Sequence, residues 1–247
     1  MRFSAGPSRS IRQWTPWLLG TAALLSVSFT WAGTGDASHY SWLGHSSEVP
    51  PNSTALGTFI PTFYRILNEA TWPTGERTEE LLTRDGQLIA RVTPSFKRQL
   101  DIEGSARLRD GRIVNIEDRV GGRMRYLLVR GAPFGVGAPG YRLVPYRTVA
   151  VDPRRIKLGT VLYIPALAGI SLPSGAVHDG FCFAHDTGRG IIGSRLDIFV
   201  GFEGDRDNAL TRSGRLASQE RVPVYTVDGQ TARVVNARFG KEFTWHE

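Results

Sequence analysis

The 247-residue sequence predicts a mainly β fold, a barrel or sandwich of short strands, and three observations carry that expectation. Short apolar runs follow one another closely from Tyr146 to Val227. Asp-Gly pairs stand at 85–86 and 110–111, each between apolar segments, and at 228–229 near the C-terminus, a pairing that favours tight hairpin turns. With 28 Gly and 14 Pro the chain is well punctuated, and few helical periodicities compete with the strand pattern.

In chain order, Thr58 to Leu67 reads as the first strand, and Leu81 to Val92 as a hairpin about Asp85-Gly86. Thr93-Pro94 followed by Ser95 to Leu100 reads as a capped short helix with proline at its first position. A second hairpin turns at Asp110-Gly111, Tyr126 to Arg130 is a strand, and a third hairpin is expected at Asp228-Gly229. The glycine-rich run from Gly135 to Gly140 lacks the helix and lysine of a phosphate loop and reads as a turn. Strands then follow at Tyr146–Val151, Thr160–Ile164, Gly180–His185, Arg195–Val200 and Val222–Val227. The expected division is residues 1–32 as a signal peptide or N-terminal anchor, 33–56 as a linker, 57–140 as a β-rich N-terminal region and 141–247 as the barrel.

The first of these segments rests on Arg2, Arg9 and Arg12 ahead of an apolar stretch from Trp17 to Ala32, the layout of a secretory signal. An uncleaved anchor that associates with the membrane is the competing reading. Either way the rest of the chain is expected to be exported, to the periplasm or cell envelope. The absence of cysteine around residue 32 argues against a lipoprotein. A net charge of +7 suits a polyanionic partner, but no Lys/Arg block interleaved with aromatics points to nucleic acid. The single Cys182 excludes an intramolecular disulfide and a multi-cysteine metal site; its apolar surroundings predict a buried thiol.

Three acids stand where strands ought to be apolar. Asp197 lies inside Leu196-Asp197-Ile198-Phe199-Val200, where Leu196, Ile198 and Val200 would share one face and Asp197 and Phe199 the other. An acid in mid-strand costs burial energy. Asp186 ends the run from Gly180, and Asp152 ends Val149-Ala150-Val151. Alone, Asp186 in Asp-Thr-Gly and Asp152 in Asp-Pro would read as turn residues. Asp186-Thr187-Gly188 is also the aspartic-protease tripeptide, but a second copy is missing from the sequence. His178, Asp179 and His185 lie close by without helical metal-ligand spacing, so no metal and no cofactor are implied. Lys157 and Arg195, with Thr187 and Gly188, are candidate substrate-binding residues, and Tyr163 and Phe199 could stack on sugar rings or fill the core.

Taken together, Ala150-Val151-Asp152-Pro153 with Leu158-Gly159-Thr160, Ala184-His185-Asp186-Thr187-Gly188, and Gly193 through Arg195 to Gly201 resemble the three-aspartate (3D) domain. That domain is shared by the membrane-bound lytic transglycosylase A family and the stationary-phase-survival muralytic proteins. The resemblance spans roughly residues 141–203. It implies a six-stranded double-psi β-barrel, with a β-rich N-terminal extension walling one side of a glycan groove. It also implies cleavage of peptidoglycan between N-acetylmuramic acid and N-acetylglucosamine, leaving a 1,6-anhydro end, with peptidoglycan glycan strands as the partner. Asp197 takes the place of the catalytic acid, with Asp152 and Asp186 beside it to shape its protonation. Arg189 and Ser194 stand where relatives vary, and a protonated His185 would depress Asp186 and weaken its influence on Asp197.

One acid suffices for such a reaction. It protonates the leaving oxygen and then takes the proton of the substrate's own C6 hydroxyl, so it must be protonated near neutral pH. A non-catalytic polysaccharide-binding barrel and a glycoside hydrolase using two carboxylates with water are the alternatives.

Overall fold

In the computed structural model the described residues are 48–138, 140–216 and 219–244; the expected signal segment and most of the expected linker lie outside them. Among the described residues no helix is long and apolar enough to cross a membrane.

In chain order the elements are β1 (Ser53–Tyr64), β2 (Leu67–Asn68), β3 (Glu79–Leu82), β4 (Leu88–Val92), α1 (Pro94–Glu103), β5 (Ser105–Arg107), β6 (Ile113–Val120) and β7 (Arg123–Val129). There follow β8 (Thr148–Ala150), β9 (Val161–Tyr163), β10 (Phe181–Asp186), β11 (Arg195–Phe199), α2 (Ala209–Arg212), β12 (Val222–Val227) and α3 (Gly229–Phe243). The fold is mainly β, as the sequence predicts. Six strands close into a barrel in the order β1-β11-β8-β10-β9-β12, beside a sheet β2-β5-β6-β7 and the pair β3-β4.

Closure depends on β1. Its first half, Ser53 to Phe59, runs antiparallel to β12, and its second half, Ile60 to Tyr64, runs parallel to β11. The barrel therefore draws a strand from residues placed, by sequence, in the linker and the N-terminal region, and the β2–β7 segment stands between β1 and β8. Side chains alternate between the two faces of a strand. Phe59, Phe63, Val149, Leu162, Cys182, Ala184, Leu196 and Ile198 fill one core. Phe181 and Phe183 of β10 turn the other way, against Val235, Phe239 and Phe243 of α3. Burial pushes the Cys182 thiol up to about 12, in keeping with a packing role.

That last helix replaces the expected third hairpin. Asp228 is its extended N-cap residue and Gly229 its first residue, at φ +60°. Thr231, Val235, Phe239 and Phe243 recur every four residues and are the buried positions, so a helical face covers β10. The short helix expected from Thr93-Pro94 is α1, with Thr93 accepting from the Phe96 amide. Its Phe96 and Leu100 pack with Leu67, Leu81, Val92, Val114 and Tyr126 into a second core. Ile66, Ile113, Val129, Leu143 and Phe199 tie this segment to the barrel.

Candidate active site

The outward face of β11 and the second half of β1 build the site. Leu196 and Ile198 point inward, which sends Asp197 and Phe199 to the other face. In the parallel register Thr62 stands beside Asp197 and Tyr64 beside Phe199. The Thr62 hydroxyl lies 2.8 Å from Asp197 Oδ1, to which it donates, and 3.2 Å from the Leu196 carbonyl.

Ala150 of β8 aligns with Asp197 on one side and with Asp186 on the other. β8 thus runs between the strands of the two acids, with the small residue Ala150 level with both. A register shift between Ala184 and Asp186 interrupts the pairing of β10 with β8; such a shift redirects the side chains beside it. His185 stacks on Tyr141 with ring centroids 3.8 Å apart, while Asp186 accepts 2.7 Å from the Tyr64 hydroxyl. Asp186 Oδ1 also accepts the amides of Ala138 at 3.1 Å and Thr187 at 2.8 Å. The Ala138 amide comes from the loop read as a turn. Gly137 there lies so near β10 that a Cβ would meet the His185 carbonyl oxygen at 2.6 Å, so only glycine brings the loop this close.

Electrostatics separate the three aspartates. Burial pushes the Asp197 carboxyl up to about 6; the Thr62 hydrogen bond opposes this, the charges of Glu103 and Asp186 add to it, and Arg195 draws it down. Burial also raises Asp186, against the hydrogen bonds from Tyr64, Ala138 and Thr187. Tyr64 is held well above the usual phenol range, by burial first and then by the neighbouring Asp186, so it stays a hydrogen-bond donor. Asp152 goes the other way: Arg154 and then the Gly193 amide hold its carboxyl below the usual carboxylate range. Arg154 binds both its oxygens, at 2.9 and 2.8 Å, and the Gly193 amide donates 2.8 Å to Oδ2. An ionised, doubly clasped Asp152 pins the 188–194 loop to the end of β8, two residues past Ala150.

The other expected residues are distributed unevenly. Thr187 meets Asp186 through its amide, and Gly188 accepts from the Ile191 amide at 2.9 Å in the same loop. Arg195 acts on Asp197 by charge, and its Nε is buried without a hydrogen-bond partner. Lys157 is exposed. Tyr163 and Phe199 are both in the core, at 1 % and 0 % exposure, so neither presents a ring to a ligand. Burial lowers His185 to about 4; it is neutral at physiological pH and cannot act as the cation that would depress Asp186. His178 is lowered to about 3, chiefly by burial. Its Nδ1 accepts from the Gly180 amide, so Nε2 donates to the Tyr146 carbonyl. That is a structural role apart from the aspartates.

Thr62, Tyr64 and Ala138 were not legible as site residues. Only an alternation of polar side chains in Thr62-Phe63-Tyr64 hints that this strand has a functional face. Replacing Tyr64 by phenylalanine removes one of Asp186's three donors, so the Asp186 carboxyl is expected to rise further. A carboxylate-resolved NMR titration of Tyr64→Phe checks this; an unmoved Asp186 would show that the hydroxyl does not support the charge.

Comparison with known proteins places the fold. Residues 147–226 match the 3D domain family, so the chain carries a 3D domain across the segment that includes Asp152, Asp186 and Asp197. In fold it is similar to Escherichia coli MltA with bound chitohexaose, with a TM-score of 0.50 at 15% identity over 71% of this chain and 75% of that one. It is likewise similar to the membrane-bound lytic murein transglycosylase of Agrobacterium tumefaciens, with a TM-score of 0.50 at 17% identity over 76% and 78% of the two chains. At these identities the likeness is one of fold. A comparison with curated proteins found no match in sequence.

Proposed function

We propose that this protein is a peptidoglycan lytic transglycosylase of the cell envelope, with Asp197 as its single general acid and base. The observation that supports this most is the Asp197 carboxyl, raised to about 6 by burial and held at one oxygen by Thr62. That leaves Oδ2 to carry a proton towards a substrate. The 3D domain and the fold shared with two lytic transglycosylases support the same reading.

In the reaction, the Asp197 proton passes to the glycosidic oxygen as the bond from the N-acetylmuramic acid C1 breaks, and N-acetylglucosamine leaves with a free hydroxyl. The Asp197 carboxylate then takes the proton of the same muramic acid's C6 hydroxyl while that oxygen bonds to C1. The 1,6-anhydro ring closes and Asp197 regains its proton; no water is consumed. Asp186 and Tyr64 stabilise the site from β10 and β1, and Asp152 with Arg154 fixes the loop between β10 and β11.

The test is digestion of purified sacculi followed by mass spectrometry of the soluble muropeptides. Anhydro ends are expected. Reducing ends would mark a hydrolase using water and a second carboxylate, and binding without release would mark a polysaccharide-binding barrel.

A further inference from the structure

We propose that the cavity between the last turns of α3 and the Gly140-Tyr141 loop is a binding site for one uncharged sugar ring, separate from the three aspartates. The proposal goes beyond the reading of Asp197 and does not depend on it.

α3 carries two neighbouring rows of residues. Val235, Phe239 and Phe243 form the buried row, packed with Phe181 and Phe183 of β10. One position along, Asn236, Gly240 and the C-cap residue Thr244 recur at the same four-residue interval, on an adjacent stripe of the helix. All three line a cavity of about 380 Å³. Tyr141 and His185 line it as well, as a stacked pair, and the Phe243 ring stands edge-on to His185 at 4.5 Å. β10 divides this cavity from the aspartates: His185 packs with Phe243 on the α3 side, while the next residue, Asp186, accepts from Tyr64 of β1.

Two observations point to a ligand. His185 is 5 % exposed, and its Nδ1 is buried with no hydrogen-bond partner among the described residues. An unmet buried polar atom costs free energy, and a ligand hydroxyl in the cavity would supply the missing partner. The second observation is Gly240. Glycine inside a helix is less favourable than alanine, and this one is not at positive φ. A Cβ on it would meet nothing within 4 Å. Neither backbone conformation nor packing calls for glycine there; what it preserves is open space beside His185. Gly159, across the cavity, differs in having φ +87° to account for it. A Cβ there would stand 3.4 Å from the Tyr141 hydroxyl.

The lining selects the class of ligand. It contains no Lys, Arg, Asp or Glu, and burial lowers His185 to about 4, so an ion finds no opposite charge. An aromatic ring with a hydroxyl at Tyr141, a side-chain amide at Asn236 and a hydroxyl at Thr244 suit the apolar face and the hydroxyls of a neutral sugar. The volume lies at the low end for ligand pockets, enough for one ring.

The experiment is an NMR titration of the full chain with N-acetylglucosamine, with the shifts mapped by residue. Saturable shifts are expected at Tyr141, His185 and Gly240, with a Kd of about 1 mM for a single sugar ring. Gly240→Leu fills the cavity and is expected to weaken binding roughly tenfold or more. Its melting midpoint should stay at or above the native one, since leucine is the better helix former. His185→Phe keeps an aromatic ring against Tyr141 but loses the nitrogens, and should weaken binding roughly fivefold. Native shifts that do not saturate, or undiminished binding in both variants, would overturn the proposal. Shifts confined to Thr62 and Asp197 would overturn it too, by placing the sugar at the aspartates, and would leave the proposed function standing.

Discussion

Asp197→Asn is expected to cut the release of soluble muropeptides by about 10²–10⁴-fold, the usual contribution of a general acid and base, without loss of fold. Asparagine keeps an oxygen for the Thr62 hydroxyl but has no proton to give. In the native protein kcat/KM is expected to decline as pH rises through about 6, where the Asp197 carboxyl ionises. The same group acts on stability with a definite sign. Its folded pKa lies above the unfolded value, so the native state's advantage is complete below about pH 4 and is lost as pH rises through about 6. Above that range the ionised, partly buried carboxylate opposes folding, by an amount of order 1–3 kcal/mol. Asp197→Asn should therefore match the native thermal midpoint at pH 4 and equal or exceed it at pH 8. A variant that is inactive because it is unfolded, or one that is fully active, contradicts the assignment.

Phe183→Ala is expected to have the largest effect on stability. Its ring is fully buried, with centroids 4.5 Å from Phe243, 6.2 Å from Phe239 and 5.2 Å from His185. Together with Phe181 and His185 it packs β10 against α3. Truncating a buried phenylalanine costs about 3–5 kcal/mol, which in a domain of this size lowers the melting midpoint by roughly 6–20 °C. Amide exchange along α3 should quicken with it. Ile192→Ala, at 58 % exposure in the loop beyond β10, should change stability by no more than about 0.5 kcal/mol. Equal midpoints for the two variants would show that α3 is not anchored through Phe183.

The site was legible where a single strand carries its own pattern. Leu196 and Ile198 alternate with Asp197 and Phe199, and in the structure the first pair fills the core while Asp197 stands on the opposite face. What could not be read was the partner strand. Thr62 meets Asp197 across 135 positions in sequence and Tyr64 meets Asp186 across 122. Parallel pairing of β1 with β11 leaves no local mark, so a Thr and a Tyr on a strand look like ordinary β formers. At Asp228-Gly229 local chemistry misleads: an extended N-cap and a glycine at positive φ begin a helix with the residues of a hairpin turn. The four-residue recurrence from Thr231 to Phe243 was the competing signal. Phe199 shows a further limit: an aromatic beside the acid suggests a sugar platform, yet its ring packs on Tyr64 and Phe134, at 5.1 and 5.9 Å. Asp152 follows β8, but Arg154, two residues on, keeps it ionised and the Gly193 amide clasps it. A local ion pair of that kind cannot be told from surface charge in the sequence.

The most direct test of Asp197 as the single acid and base of a transglycosylase is mass spectrometry of muropeptides released from sacculi by the native protein and by Asp197→Asn. The native protein is expected to give 1,6-anhydro ends and the variant almost none. Reducing ends from the native protein, or anhydro ends undiminished in the variant, would contradict that assignment.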